Sequence, residues 1–126
     1  MWSHGSFYWN ELMTRDSEAA KKFYGTTMGW RFESMEMPLG TYWIAKMGDA
    51  PVGGIFPING PEFDGAPEIW FAYISVDDVD ARAKKLTAAG GKIIREPFDV
   101  ANVGRIAIVQ DNSGVMFGLM TPTAAQ

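Results

Sequence analysis

An α+β fold made of two copies of a strand–helix–strand–strand–strand module is what the sequence predicts, and three observations predict it. The order of elements recurs at an offset of 61 residues, which sets Asp16 on Asp77, Thr14 on Ser75, Ala20 on Ala81, Thr26 on Thr87 and Gly29 on Gly90. Each half holds one stretch with helical spacing, flanked by short runs rich in β-branched and aromatic residues. Between the halves, NGPEFDGAP is crowded with Pro and Gly and reads as a connector.

The second half shows the module most clearly. EIWFAYIS has the composition of a strand, and Asp77 or Asp78 then starts a helix, because a carboxylate can accept the free amides of a first helical turn. Val79, Ala83 and Leu86 recur at i, i+4 and i+7, and Gly90 and Gly91 end the pattern. Strands follow at Lys92 to Val100, Arg105 to Gln110 and Val115 to Met120, the last two joined by the turn sequence DNSG. In the first half SFYWNELMTRD is the sister strand, and SEAAKKFYGTTMGW the sister helix with Ala19, Ala20, Phe23 and Tyr24 on one face. Trp30 to Met37, stopped by Pro38 and Gly40, then Thr41 to Lys46, then PVGGIFPI supply its three strands. The modules therefore span about 5–58 and 68–122, with 59–67 between them.

At 126 residues with 47% hydrophobic content, the chain is one domain's worth and can bury an ordinary core. No cysteine is present, so disulfides, thiolate metal clusters and a thiol nucleophile are excluded. A net charge of −4 and a pI near 4.9, without a basic stripe, argue against nucleic acid as a partner. The adjacent pairs Lys21/Lys22 and Lys84/Lys85 read as solvated helix faces. No apolar run approaches the ~20 residues that span a bilayer and MWSHGSFYW is not a secretory leader, so a soluble, cytoplasmic protein without a membrane partner is expected.

Two such modules, with D...AAKKFYGTTMGW in one and VDDVDARAKKLTAAGGKI followed by DNSGVMFGLM in the other, resemble the vicinal oxygen chelate superfamily. This is the group of glyoxalase I, bleomycin-resistance proteins and extradiol dioxygenases. The resemblance runs from about Gly5 to Pro122 and is nearest to the glyoxalase-like branch, through the pattern at Trp9 to Asp16 and Phe23 to Trp30. It implies two βαβββ modules whose curved mixed sheets form a cup, and, in the metal enzymes, His, Glu or Gln ligands on the first and last strands of each module. Counting six residues back from the helix-starting aspartates, the ligand positions fall on Asn10 and Phe71; on the last strands they fall on Gly118 and on Gly53 or Gly54. A phenyl ring and a bare Cα cannot coordinate, so no metal and no other cofactor is expected. His4, the one histidine, reads as a mobile N-terminal residue.

If Phe71 points into the cup, strand alternation puts Ile69, Tyr73 and Ser75 beside it and turns Ala72, Ile74 and Val76 to the helix. Tyr8, Asn10 and Leu12 are expected on the cup side of the sister strand, and Met116, Gly118 and Met120 on that of the last strand. Tyr8, Asn10, Trp43, Phe71, Tyr73, Met116 and Gly118 are thus the candidate ligand-binding residues, for a flat apolar or aromatic small molecule. Glu11 falls on the helix side, where a carboxylate needs a partner, and reads as structural. The alternatives are a glyoxalase-like lyase, isomerase or dioxygenase of unknown substrate, or an interaction module with no small ligand. Family members of this length imply a homodimer.

Overall fold

Two aspartates decide where strand gives way to helix. In the computed structural model, which describes residues 2–37 and 40–123, β1 (Ser6–Thr14) runs to Asp16, whose side chain accepts the amide of Ala19 at 3.0 Å and starts α1 (Ser17–Met28). Likewise β5 (Ile69–Ser75) leads to Asp78, which accepts the amide of Ala81 at 3.1 Å and starts α2 (Val79–Ala88). Gly29, left-handed at φ 76°, ends α1. The sequence repeat set Asp16 on Asp77; the capping geometry sets it on Asp78, so the true offset is one residue longer. That single step matters, because it exchanges the faces of a strand.

β2 (Arg31–Met37), β3 (Gly40–Met47) and β4 (Ala50–Pro57) complete the first module, and β6 (Lys92–Val100), β7 (Gly104–Gln110) and β8 (Met116–Pro122) the second. The stop expected at Pro38 lies outside the described residues. The strands follow the order β2-β3-β4-β1-β5-β8-β7-β6 in a mixed sheet of eight. β4 lies parallel to β1, with Glu11 against Gly54 and Leu12 against Ile55. β8 lies parallel to β5, with Tyr73 against Gly118 and Ile74 against Leu119. The connector carries one short 3-10 turn, Pro61–Phe63, tied by Arg15, whose guanidinium donates to the carbonyls of Phe63 and Ala66.

By contact density the chain divides into two compact units, the described parts of Met1–Trp9 with Ala72–Gln126, and Asn10–Phe71. In the first unit the core forms where α2 lies on β7 and β8: Val76, Val79, Ala83, Ala107, Val109 and Leu119 are buried together, with Ile74, Leu86, Ile93 and Phe117 packed around them. The i, i+4, i+7 stripe of α2 thus faces the sheet as its spacing requires. His4 is not loose: its Nδ1 accepts the amide of Asp77 at 3.0 Å, while Ser75 Oγ donates to the carbonyls of Ser3 and Ser6. The DNSG turn closes on Asp111, whose Oδ1 accepts the amides of Ser113 and Val115; these bonds lower its pKa.

In the second unit α1 has no fully buried residue. Its inward side is carried by Tyr24, which stacks on Trp30 at 5.4 Å and accepts a hydrogen bond from the Trp70 indole. Phe23, expected on that same side, is 57% exposed, because neighbouring helix positions diverge by about 100°. Lys21 also departs from a solvated face: its ammonium lies 3.2 Å from the Trp43 ring centroid and 3.0 Å from Glu18.

Two predictions follow from the caps and their neighbours. Replacing Asp16 or Asp78 by Ala should cost about 1 kcal/mol each in urea unfolding, because an amide at the first turn loses its acceptor. Asp77 grips Arg82 through bonds of 2.9 and 3.0 Å, and this pairing holds its carboxyl down to about 2. A folded pKa below the unfolded one stabilises above the unfolded value and loses that effect as pH falls through the folded one. The contribution should therefore be complete above about pH 4 and gone near pH 2. Asp77→Asn should flatten that part of a Tm-against-pH curve.

Candidate functional site

Each sheet half has a face that carries its helix and a face that does not, and the register assigns side chains to them. On β5 the burial alternates: Phe71, Tyr73 and Ser75 are buried, while Ile74 belongs to the α2 core. On β8, Phe117 and Leu119 also belong to that core, so Met116, Gly118 and Met120 turn to the opposite face. Gly118 is paired with Tyr73, and the Tyr73 ring lies over it so closely that a Cβ at 118 would overlap the ring. The aromatic side chain fills the space that a side chain at 118 would take.

In the unit Asn10–Phe71 the same logic gives a different chemistry. Trp43 faces α1, under Lys21, and its cross-strand neighbours Ile55 and Leu12 share that face. Asn10 alternates with Glu11 and shares the α1 face; its side chain is exposed, and its carbonyl would lie 2.9 Å from a Cβ on Gly53. The opposite face holds two cross-strand rows. One runs Glu33, Ile44, Gly54, Glu11; the other runs through Met35 and Tyr42 on β2 and β3 to Phe56 and Met13 on β4 and β1. Tyr42 meets Phe56 edge-on at 6.4 Å, and its ring leans over Gly54, again occupying a glycine's missing side chain. Its hydroxyl donates to Glu11 Oε1 at 3.0 Å. Glu11 is 6% exposed and Tyr42 8%, whereas the outer end of the rows is open, with Met35 44% exposed and Glu33 ion-paired to Lys46 at 2.8 Å.

Of the residues singled out from sequence, Tyr73 and Gly118 are brought into direct contact, Phe71 is 2% exposed, and Met116 is 39% exposed. Tyr8 is 42% exposed on β1. Asn10, Leu12 and Trp43 lie on the α1 side, so the expectations that Asn10 and Leu12 face away from the helix and that Trp43 lines the cup are corrected, and so is the assignment of Glu11 to the helix side. The cause is the one-residue slip in the repeat. Counted from the caps, the first-module counterpart of Phe71 is Trp9, and that of Tyr73 is Glu11. The Glu11–Tyr42 pair was missed; the signal that could have found it is the Gly53-Gly54 doublet, one glycine facing Trp70 and the other Tyr42.

The sequence profile of the Glyoxalase/Bleomycin resistance protein/Dioxygenase superfamily matches residues 7–119. A protein named "Putative glyoxylase CFP32" from Mycobacterium tuberculosis is 42% identical over 123 residues, covering 97% of this chain and 46% of its own. "Anthracycline biosynthesis protein DnrV" from Streptomyces peucetius is 32% identical over 127 residues, covering 91% of this chain and 46% of its own. The chain thus spans about half the length of these relatives. Among solved structures, methylmalonyl-CoA epimerase from Mycobacterium tuberculosis superposes with a TM-score of 0.66 at 16% identity, covering 98% of this chain and 93% of that one. A Bacillus halodurans protein, BH1468, superposes at 0.75 with 13% identity, covering 98% and 99%. At such identities these structures show the fold alone. With its strand order, its capped helices and a profile match along most of its length, the chain belongs to the Glyoxalase/Bleomycin resistance protein/Dioxygenase superfamily.

Proposed function

We propose that this glyoxalase-like chain works without the superfamily's metal and binds a small, flat apolar or aromatic molecule against the ring-bearing sheet faces. The observation that carries the reading is the placement of Tyr73 over Gly118, repeated in kind by Tyr42 over Gly54. Rings cover the two glycines that stand where the resemblance implies a last-strand metal ligand, and ring faces hold flat molecules by stacking and dispersion. The donor chemistry points the same way: Trp9, Phe71, Gly54 and Gly118 offer no side-chain donor able to hold a transition metal. Among the described residues no three His, Asp or Glu side chains lie close enough to share an ion. The residues present do not fit that ion.

Two relatives lend support. One is named as a glyoxylase and the other for the biosynthesis of anthracyclines, which are flat fused-ring compounds. An enzyme acting on such a molecule is the second reading, favoured by one observation, the buried Glu11–Tyr42 pair. We further propose a cytoplasmic homodimer; no helix among the described residues is long and apolar enough to cross a membrane. Light scattering should then return about twice the 13.9 kDa of one chain.

Thermal unfolding with acridine and anthraquinone tests the reading. Ligand at a hundred times its Kd should stabilise the fold by about 2.7 kcal/mol, and no gain above about 1 kcal/mol with either compound would count against it. Stoichiometric zinc, nickel, manganese or iron in the purified protein would contradict the metal-independent half. Gly118→Ala should destabilise by about 1–3 kcal/mol, since Tyr73 must move to admit the methyl, and should weaken binding of both probes.

A further inference from the structure

β6 does not alternate as its neighbours do. Lys92 pairs with Gln110 and Ile93 with Val109, but the register then shifts so that Arg95 pairs with Ile108, and it shifts again before Phe98 meets Ile106. Without the first bulge Arg95 would share the face of Ile93, which packs on the α2 core. Without the second, Phe98 would stand on the face opposite to Arg95. The two bulges together bring both side chains to the face away from α2, and bulges often re-aim a side chain beside a site. There the Arg95 guanidinium lies 3.7 Å from the centroid of the Phe98 ring.

Cross-strand rows on this face run Met116–Gln110–Lys92, Gly118–Ile108–Arg95 and Met120–Ile106–Phe98. The last is closed at its inner end, where Met120 and Ile106 are buried. The other two are open toward the sheet edge: Met116 is 39% exposed, Ile108 and Gln110 are half-buried, and Lys92 and Arg95 are exposed. The other arginines of this unit are engaged, Arg82 by Asp77 and Arg105 by Asp80 and Asp99. Among the described residues no carboxylate forms an ion pair with Lys92 or Arg95, and no acid stands in the rows themselves. Two cations without a counter-ion thus border an apolar floor. A guanidinium steadied by a ring offers a fork of N–H donors that matches a carboxylate.

We infer that this corner of the second module is an anion subsite, in which Arg95 and Lys92 hold the carboxylate of an aromatic acid whose ring body lies on Ile108 and Met116. This rests on the ligand-binding reading above and names its ligand class. Charges on an edge strand also discourage pairing with another sheet. That role gives no preference among small molecules, so ligand selectivity separates the two.

Calorimetric titration of the intact chain at pH 7 and low salt reads that selectivity with 2-naphthoate, 2-naphthamide and naphthylmethylammonium, which share one ring body. 2-Naphthoate should bind about tenfold or more tighter than the neutral amide, with the cation weakest, and its advantage should shrink as salt rises. Arg95→Gln and Lys92→Gln should each lower 2-naphthoate affinity severalfold and leave that of 2-naphthamide unchanged. Arg95→Lys, which keeps the charge and loses the fork, should fall between. Both side chains are exposed, so these substitutions leave the core intact. Binding of 2-naphthoate no tighter than that of 2-naphthamide, or unaltered by both glutamine variants, overturns this inference while leaving the ligand-binding reading in place. No binding of any probe overturns both.

Discussion

The parallel pairing of the last strand of each module against its first is the constraint on which the other features depend. It brings Gly54 beside Glu11 and Gly118 beside Tyr73, and in both cases a phenol group occupies the space of the missing side chain. A larger residue at either glycine would displace that ring. Because strand side chains alternate strictly, the same register also decides which residues are left for the helices: Leu12, Trp43 and Ile55 for α1, and Ile74, Phe117 and Leu119 for α2. Helix packing and the chemistry of the opposite face are thus two results of a single pairing.

The two modules use this common frame unequally. α2 drives Val79 and Ala83 into a closed aliphatic core, whereas α1 buries none of its residues fully and relies on Tyr24, Trp30, Trp70 and the Lys21–Trp43 contact. On the opposite faces the second module is served by Tyr73, while the first holds an acid and a phenol in hydrogen-bond contact. The same strand pairing thus admits different side chains around its glycine in the two modules.

Much of this was legible in the residues. The spacing of Val79, Ala83 and Leu86, the DNSG turn, and the aspartates before each helix placed α2, the β7–β8 hairpin and both helix starts. On β5 the expected alternation of Phe71 and Tyr73 against Ile74 and Val76 agrees with the burial, because Asp77 and Asp78 pin the strand's end within one residue. The first module was harder. There the residue identities favour pairing Asp16 with Asp77 although the cap is Asp78, and a slip of one residue is enough to exchange Asn10 with Glu11 between faces. The Glu11–Tyr42 contact joins residues 31 apart in sequence and depends on two strand registers at once, which no local pattern records. Likewise Trp43 could be placed only by its cross-strand partner Ile55 and by Lys21 above it.

Methionines happen to mark both kinds of surface, which gives the central claim a direct test. Met13 and Met35 lie on the face of the first module that bears Glu11 and Tyr42, and Met116 on the corresponding face of the second; Met28 and Met47 are exposed beside the end of α1. With methyl-labelled methionine, a carbon–proton correlation spectrum recorded during titration with a planar aromatic should show shifts and ligand cross-relaxation at Met13, Met35 or Met116, and none at Met28 and Met47. Perturbation confined to Met28 and Met47, with the other three unmoved at saturation, would contradict a ligand site on the ring-bearing faces.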